Sequence, residues 1–324
     1  MRAVRVHELV GPSGLRVDDM PEPQPGPGEV RIAVRAAGVN FPDVLFSYGK
    51  YQFKPPPPFV PGLEAAGVVA AVGDGVTAVA VGDRVATTLV HGAFAEQLVV
   101  PATAAVKLPA AVGFELAAAT LLTYGTTWHA LVDRAGLKAG ETLLVLGAAG
   151  GVGIAAVEIG KLLGARVIAA ASTAEKLKFC REHGADEGIE YTREDLKERS
   201  KQLTGGEGVD VVYDAVGGPF AEPALRAIAW QGRYLVVGFA AGEIPKIPLN
   251  LVLLKGCQLV GVFWGAFAAR EPAKNHANAE RILAAVAAGQ LRPHVDATLP
   301  FARAGEALTR MERREVLGKL VLVP

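Results

Sequence analysis

One stretch limits the fold of this chain more than any other: residues 142–176, TLLVLGAAGGVGIAAVEIGKLLGARVIAAASTAEK. The apolar run Leu143, Leu144, Val145 and Leu146 has the length and composition of a buried strand. It stops at a turn containing Gly147, Gly150, Gly151 and Gly153. A helical pattern follows over residues 152–163, Gly164 ends it, and residues 166–171 read as a second buried strand. Strand, glycine turn, helix and strand within about 30 residues is the setting in which a glycine pattern implies a dinucleotide site. Glycine permits the tight turn and lets backbone N–H groups approach a pyrophosphate, where the helix dipole favours the anion. Ala149 stands where a strict G-x-G-x-x-G would place its second glycine. The flanking elements therefore carry this reading as much as the glycines do.

A chain of 324 residues exceeds what one hydrophobic core supports, so two domains are expected. Positive and negative side chains balance at 33 each. That excludes the basic footprint of a nucleic-acid or anionic-membrane binder. The opening MRAVRVHEL alternates like a strand and shows no apolar core of a signal peptide. Residues 143–159 are apolar, but they are too short for a membrane span and are broken by glycines and Glu158. The two cysteines, Cys180 and Cys257, lie far apart, which fits a reducing, cytoplasmic setting and no disulfide framework.

Residues 1–122 read as β-rich. Short apolar runs around Val4, Val34, Val69, Val85 and Val100 are separated by turn signals such as Gly73-Asp74-Gly75 and Gly82-Asp83. A small barrel or sandwich follows. Beyond Tyr124 the period changes. Five further strand signals, at 167–171, 188–191, 209–214, 234–238 and 258–263, follow the strand of the glycine turn. Helical stretches at 174–183, 193–203 and 221–230 alternate with them. The expected fold class is α/β, with a doubly wound parallel six-stranded sheet. A helix at 277–288 and a strand at 319–323 close the chain. The expected division gives residues 123–265 to the nucleotide domain and residues 1–122 with 266–324 to the other. The strand at 258–263 (QLVGVF) reads as an apolar edge, which predicts a homodimer paired through it.

Several segments carry a family resemblance: AAGVNFPD (36–43), GKY (49–51), PGLEAAGVV (61–69), AVGDRV (80–85), the glycine turn, VDVVYDAVGG (209–218) and RREVLGKLVL (313–322). Together they resemble the zeta-crystallin-like NADPH:quinone oxidoreductases of the medium-chain dehydrogenase/reductase superfamily. The resemblance implies a GroES-like β-rich domain beside a Rossmann domain. It also implies NADPH as cofactor and hydride transfer to a quinone or activated conjugated carbonyl. Two alternatives stay open: an enoyl-thioester or enone reductase with Tyr51 as proton donor, and an NADPH-binding protein of structural or RNA-binding role.

Where the zinc alcohol dehydrogenase branch has its Cys and His ligands, this chain has Asn40 and Leu63, and Glu64 stands without metal partners. The six histidines show no ligand spacing, so no metal is expected. At the end of the second nucleotide strand an NAD site carries an acidic residue. Here Ala171 and Ser172 stand there, and Lys176 follows one helical turn later. Taken singly, Lys176 reads equally as a solvated surface charge. The resemblance adds Tyr191 and Arg314 to the 2′-phosphate set. It places Gly150, Gly151, Val152, Gly153 and Gly217 at the cofactor, with Thr126, Gly238, Phe239 and Phe263 toward the nicotinamide. Asn40, Asp43 and Tyr51 become the catalytic set. Leu45 replaces a tyrosine that lines the substrate pocket in some bacterial relatives, leaving a less polar pocket.

Overall fold

A computed structural model describes all 324 residues. They form two compact units: residues 1–122, 270–289 and 293–324 in the first, residues 123–269 and 290–292 in the second.

The second unit is built on six strands in the order Glu187–Glu190, Arg166–Ala171, Thr142–Leu146, Val209–Asp214, Ile228–Val236, Gln258–Gly261. Every neighbouring pair is parallel. Numbered along the unit, this order is the 3-2-1-4-5-6 of a Rossmann sheet, as the alternating pattern predicts. The central strands are buried almost throughout, because helices cover both faces. Leu144, Leu146, Ile168, Val212 and Ile228 lie in one core cluster. The outermost strand, Gln258–Gly261, is instead largely exposed.

Three expectations shift here. The helix expected over 221–230 stops at Arg226, and the strand expected at 234–238 starts at Ile228. Gln231 adopts φ 61°, and the register against Val209–Asp214 slips at this point. A kinked strand start breaks the period-2 pattern by which a strand is recognised. The edge strand ends at Gly261, short of Phe263, because the helix Trp264–Arg270 begins directly after it.

The first unit holds a seven-stranded sheet and a two-stranded one. Its longest strand, Glu29–Val39, alternates buried and half-buried residues at first and is then buried continuously. It pairs antiparallel with Glu64–Val72, Gln97–Pro101 and the C-terminal Lys319–Val323. The last pairing sets Leu320 against Val39. The end of the chain thus arrives beside Asn40, where the helix Phe41–Ser47 starts. The helices Pro272–Ala287 and Ala304–Glu312 complete this unit.

Candidate active site

The glycine turn closes as its sequence requires. Gly147 sits at φ 65°, and Gly150 precedes the helix Gly151–Leu162 with no side-chain cap. The first-turn N–H groups of Gly151, Val152 and Gly153 have no partner within the helix and are open to an anion. Gly153 has no room for a side chain: a Cβ there would lie 2.2 Å from the Gly147 carbonyl oxygen. That close backbone approach is what a pyrophosphate cradle needs.

At the end of the neighbouring strand Arg166–Ala171, Lys176 Nζ lies 3.3 Å from Ser172 Oγ. Thr192 Oγ1 donates to the Ser172 carbonyl at 2.8 Å, and the Tyr191 N–H donates to the Ala171 carbonyl. The Tyr191 ring packs on Phe220 at 4.4 Å. Ser172, Lys176 and Tyr191 therefore share one corner, where Ser172 stands in place of an acidic residue and Glu190, the register partner of Ala171, pairs with Arg193 at 3.1 Å. Thr192 belongs to that corner and the sequence reading missed it; its neighbour Tyr191 was the only signal.

Gly217, at φ 65°, packs directly on Phe239: a Cβ there would meet the ring at 2.8 Å. Asp214 orders this turn by accepting from the Val216 and Gly217 N–H groups, both at 2.8 Å. Its other oxygen takes the Tyr234 hydroxyl at 2.5 Å. Burial and the Asp214 charge both hold that phenol above its ordinary pKa. Thr126 sits half-buried on the helix Leu121–Trp128. The next residue, Thr127, hydrogen-bonds the Val152 carbonyl at 3.2 Å and the buried Tyr213 hydroxyl at 2.9 Å. That contact pins the helix carrying Thr126 to the first turn of the glycine helix. Phe263 lies exposed just past the edge strand, and Gly238 lies two residues beyond the strand end at Val236, directly before Phe239.

Asn40, Asp43, Tyr51 and Arg314 belong to the first unit. Arg314 is exposed, with φ 59°, a conformation uncommon for any residue but glycine. Asn40 and Asp43 are buried, at 4% and 0% exposure. Asp43 accepts from the Asn40 N–H at 2.8 Å and the Gly62 N–H at 2.9 Å. Burial pushes its carboxyl up to about 7, against the pull of those two donors and the Lys319 charge. The Asn40 amide donates to the Gly38 carbonyl at 3.1 Å and to Glu64 Oε1 at 3.0 Å. Its oxygen accepts from Lys319 Nζ.

Lys319 is the residue the sequence reading missed here. Its signal was a single charge opening the otherwise apolar strand KLVLV. Its ammonium donates to the Val39 carbonyl at 2.8 Å and Glu64 Oε1 at 2.7 Å, as well as to Asn40. Leu63 lies in an apolar cluster with Phe46 and Phe59, against which Tyr51 packs. Burial, then the Asp43 charge, raises the pKa of the half-buried Tyr51 phenol. No group of three His, Cys, Asp or Glu side chains stands together in a way that could hold a metal.

Residues 26–110 match the family model described as "Alcohol dehydrogenase GroES-like domain". Residues 151–280 match that of "Zinc-binding dehydrogenase". A sea-anemone protein, the quinone oxidoreductase-like protein 2 homolog of Nematostella vectensis, is 41% identical over 99% of this chain and 88% of its own length. The chain belongs to the quinone oxidoreductase family of medium-chain dehydrogenases/reductases. Among solved structures, a mycobacterial family member complexed with NADPH superposes with a TM-score of 0.94 at 36% identity, covering 100% of both chains. The Escherichia coli quinone oxidoreductase complexed with NADPH gives a TM-score of 0.91 at 31% identity, again covering 100% of both chains. The family's two-part architecture, a GroES-like domain and a six-stranded Rossmann sheet, is the one seen here.

Proposed function

We propose that this chain is an NADPH-dependent oxidoreductase that reduces a quinone or a similarly activated conjugated carbonyl without zinc. The observation that carries the reading is the glycine cradle with Lys176, Tyr191 and, in place of an acidic residue, Ser172 at one corner. NADPH, when bound, supplies the hydride. The first-turn N–H groups of Gly151, Val152 and Gly153 hold the pyrophosphate, and Ser172, Lys176 and Tyr191 the 2′-phosphate; a part for Arg314 rests on the family resemblance alone. Gly217, Gly238, Phe239, Phe263 and Thr126 shape the nicotinamide end. Tyr51 borders the acceptor, and Asn40 and Asp43, whose polar atoms are bonded within the protein, position the loop that carries it. Orientation is the main contribution of these residues.

The family model speaks of zinc, yet the donor set here does not fit that ion. Asn40 and Leu63 are not zinc-type ligands, and the two carboxyl groups beside them are already engaged, Glu64 by the Lys319 ammonium and Asp43 by the Asn40 and Gly62 N–H groups. Metal analysis of the purified protein should find no stoichiometric zinc, and chelators should leave activity intact.

A second reading, reduction of an enone or enoyl thioester, draws support from Tyr51. A phenol is protonated at neutral pH, as a proton donor requires, although burial and the Asp43 charge make this one a weaker acid. NADPH oxidation across quinones, enones and enoyl thioesters separates the two. Turnover with none of them overturns both.

The assembly that fits is a homodimer. The strand Gln258–Gly261 ends the sheet, and Leu253, 79% exposed, and Trp230, 68% exposed, lie on neighbouring elements. A Leu253→Asp variant should shift the mass in light scattering from two chains to one. No helix is long and apolar enough to cross a membrane, and a cytoplasmic location suits the two buried free thiols, Cys180 and Cys257.

A further inference from the structure

Lys319 and Glu64 form an ion pair at 2.7 Å with both partners out of water, at 2% and 0% exposure. Each of the ammonium's three donor positions has a partner: the Val39 carbonyl, Asn40 Oδ1 and Glu64 Oε1. The far carboxylate oxygen accepts from the Leu122 N–H at 2.9 Å. A buried pair of this kind is weak evidence for stability, because apolar residues of similar volume often stabilise as well or better. What an apolar pair cannot do is orient an amide. Here the ammonium takes the oxygen of Asn40 and the carboxylate takes its nitrogen, so the side chain has one orientation.

That orientation propagates. The Asn40 N–H bonds Asp43, whose second oxygen bonds the Gly62 N–H. Asn40 precedes the helix Phe41–Ser47, and the Lys50 N–H returns to the Leu45 carbonyl at 2.8 Å. The next residue, Tyr51, packs its ring on Phe46 at 4.7 Å.

We propose that Lys319 is a positioning residue of the acceptor site: acting through Glu64 and Asn40, it holds the helix and loop that present Tyr51. The proposal rests on the reading of that loop as the acceptor side. Its test uses variants that separate folding from positioning. Lys319→Met alone should lower the Tm, since it leaves a buried carboxylate unpaired. The double variant Lys319→Met/Glu64→Leu should recover most of that Tm and keep the NADPH Kd within about twofold. Its kcat/KM for the best acceptor should stay about tenfold or more below wild type. Asn40→Ser, with the ion pair intact, should lose a similar factor. Adding it to the double variant should cost little more, because the three residues act as one unit.

Wild-type kcat/KM in the stability-restored double variant overturns the proposal and leaves the pair a folding element. Multiplicative losses on adding Asn40→Ser overturn it as well. If the double variant does not fold, Asn40→Ser decides alone: unchanged kcat/KM there overturns the proposal. A wild-type protein that turns over no acceptor fails the functional reading and the proposal together, whereas parity of the variants with an active wild type fails only the proposal.

Discussion

The glycine turn and the polar knot around Lys319 both fix groups in a crowded place, by opposite means. The turn does it by subtraction: at Gly153 there is no side chain, and backbone meets backbone within one short stretch. The knot does it by addition, through Asn40, Asp43, Glu64 and Lys319. Its ammonium–amide bond spans 279 residues of sequence. Local constraint leaves a signature any window can read. Distant constraint leaves one charged letter in an apolar strand. The first should be sensitive to added volume and indifferent to pH, the second tolerant of small volume changes and sensitive to charge.

The largest expected effect tests the turn. Gly153→Ala places a methyl 2.2 Å from the Gly147 carbonyl oxygen and 2.8 Å from the Ala148 backbone, so the turn must open. With the N–H groups no longer converging, the NADPH Kd should rise on the order of a hundredfold, about 2.7 kcal/mol. A titration giving a Kd within threefold of wild type would show that the close approach is not what holds the cofactor.

The knot should respond instead to charge. Asp43→Asn keeps the shape but offers one acceptor oxygen to two N–H donors, leaving either Asn40 or Gly62 facing an amide nitrogen. The expected cost is about 1–3 kcal/mol of stability, with the NADPH Kd unmoved. The sign with pH follows from the raised carboxyl. Its folded pKa is about 7, against about 3.9 in the unfolded chain, so the folded state binds the extra proton between those values. Wild-type stability should therefore fall as pH rises from about 4 to 7 and level off above that. In Asp43→Asn this part of the slope should vanish. Urea midpoints at several pH values read it, and an identical slope in the two proteins would remove Asp43 as its source.

This contrast also explains what the sequence could convey. The parallel unit was legible because its strands are buried on both faces and its turns carry glycine, both local properties. The kinked start of Ile228–Val236 was not, since the φ of 61° at Gln231 is imposed by its surroundings and not by its own preference. At the candidate site, Ser172 and Lys176 were findable by counting from the glycines, and Tyr191 only through the family resemblance. Asn40 and Asp43 were named through family segments, but that their polar atoms turn inward was not legible. That fact depends on Lys319, Glu64 and Gly62, which only the folded sheet brings alongside.

A smaller effect sharpens the turn side. Lys176→Ala removes the cation beside Ser172 and leaves the pyrophosphate cradle intact. One charge-assisted contact is worth about 1.5–3 kcal/mol, so kcat/KM for NADPH should fall roughly tenfold or more while that for NADH holds. Equal losses for both cofactors would mean that Lys176 supports the fold and not the phosphate.

The smallest effect is expected on the other side, at Tyr51, and it distinguishes the two substrate classes. A quinone that has accepted a hydride becomes a hydroquinone anion with a phenol-like pKa, and water protonates it without a placed acid. An enoyl thioester becomes a far more basic enolate, for which a positioned donor is worth roughly 10² to 10⁴ in rate. Tyr51 carries a phenol that is protonated at neutral pH and could donate, although burial and the Asp43 charge weaken it as an acid. It is also equipped only to shape the site, since its ring packs on Phe46 at 4.7 Å. With quinones as substrates, Tyr51→Phe retains that packing and should lower kcat by less than about tenfold. The same variant assayed with enoyl thioesters supplies the contrast. A hundredfold loss with the best quinone would transfer the protein to the enone and thioester class and make the Tyr51 hydroxyl, held in place by the polar knot, its acid.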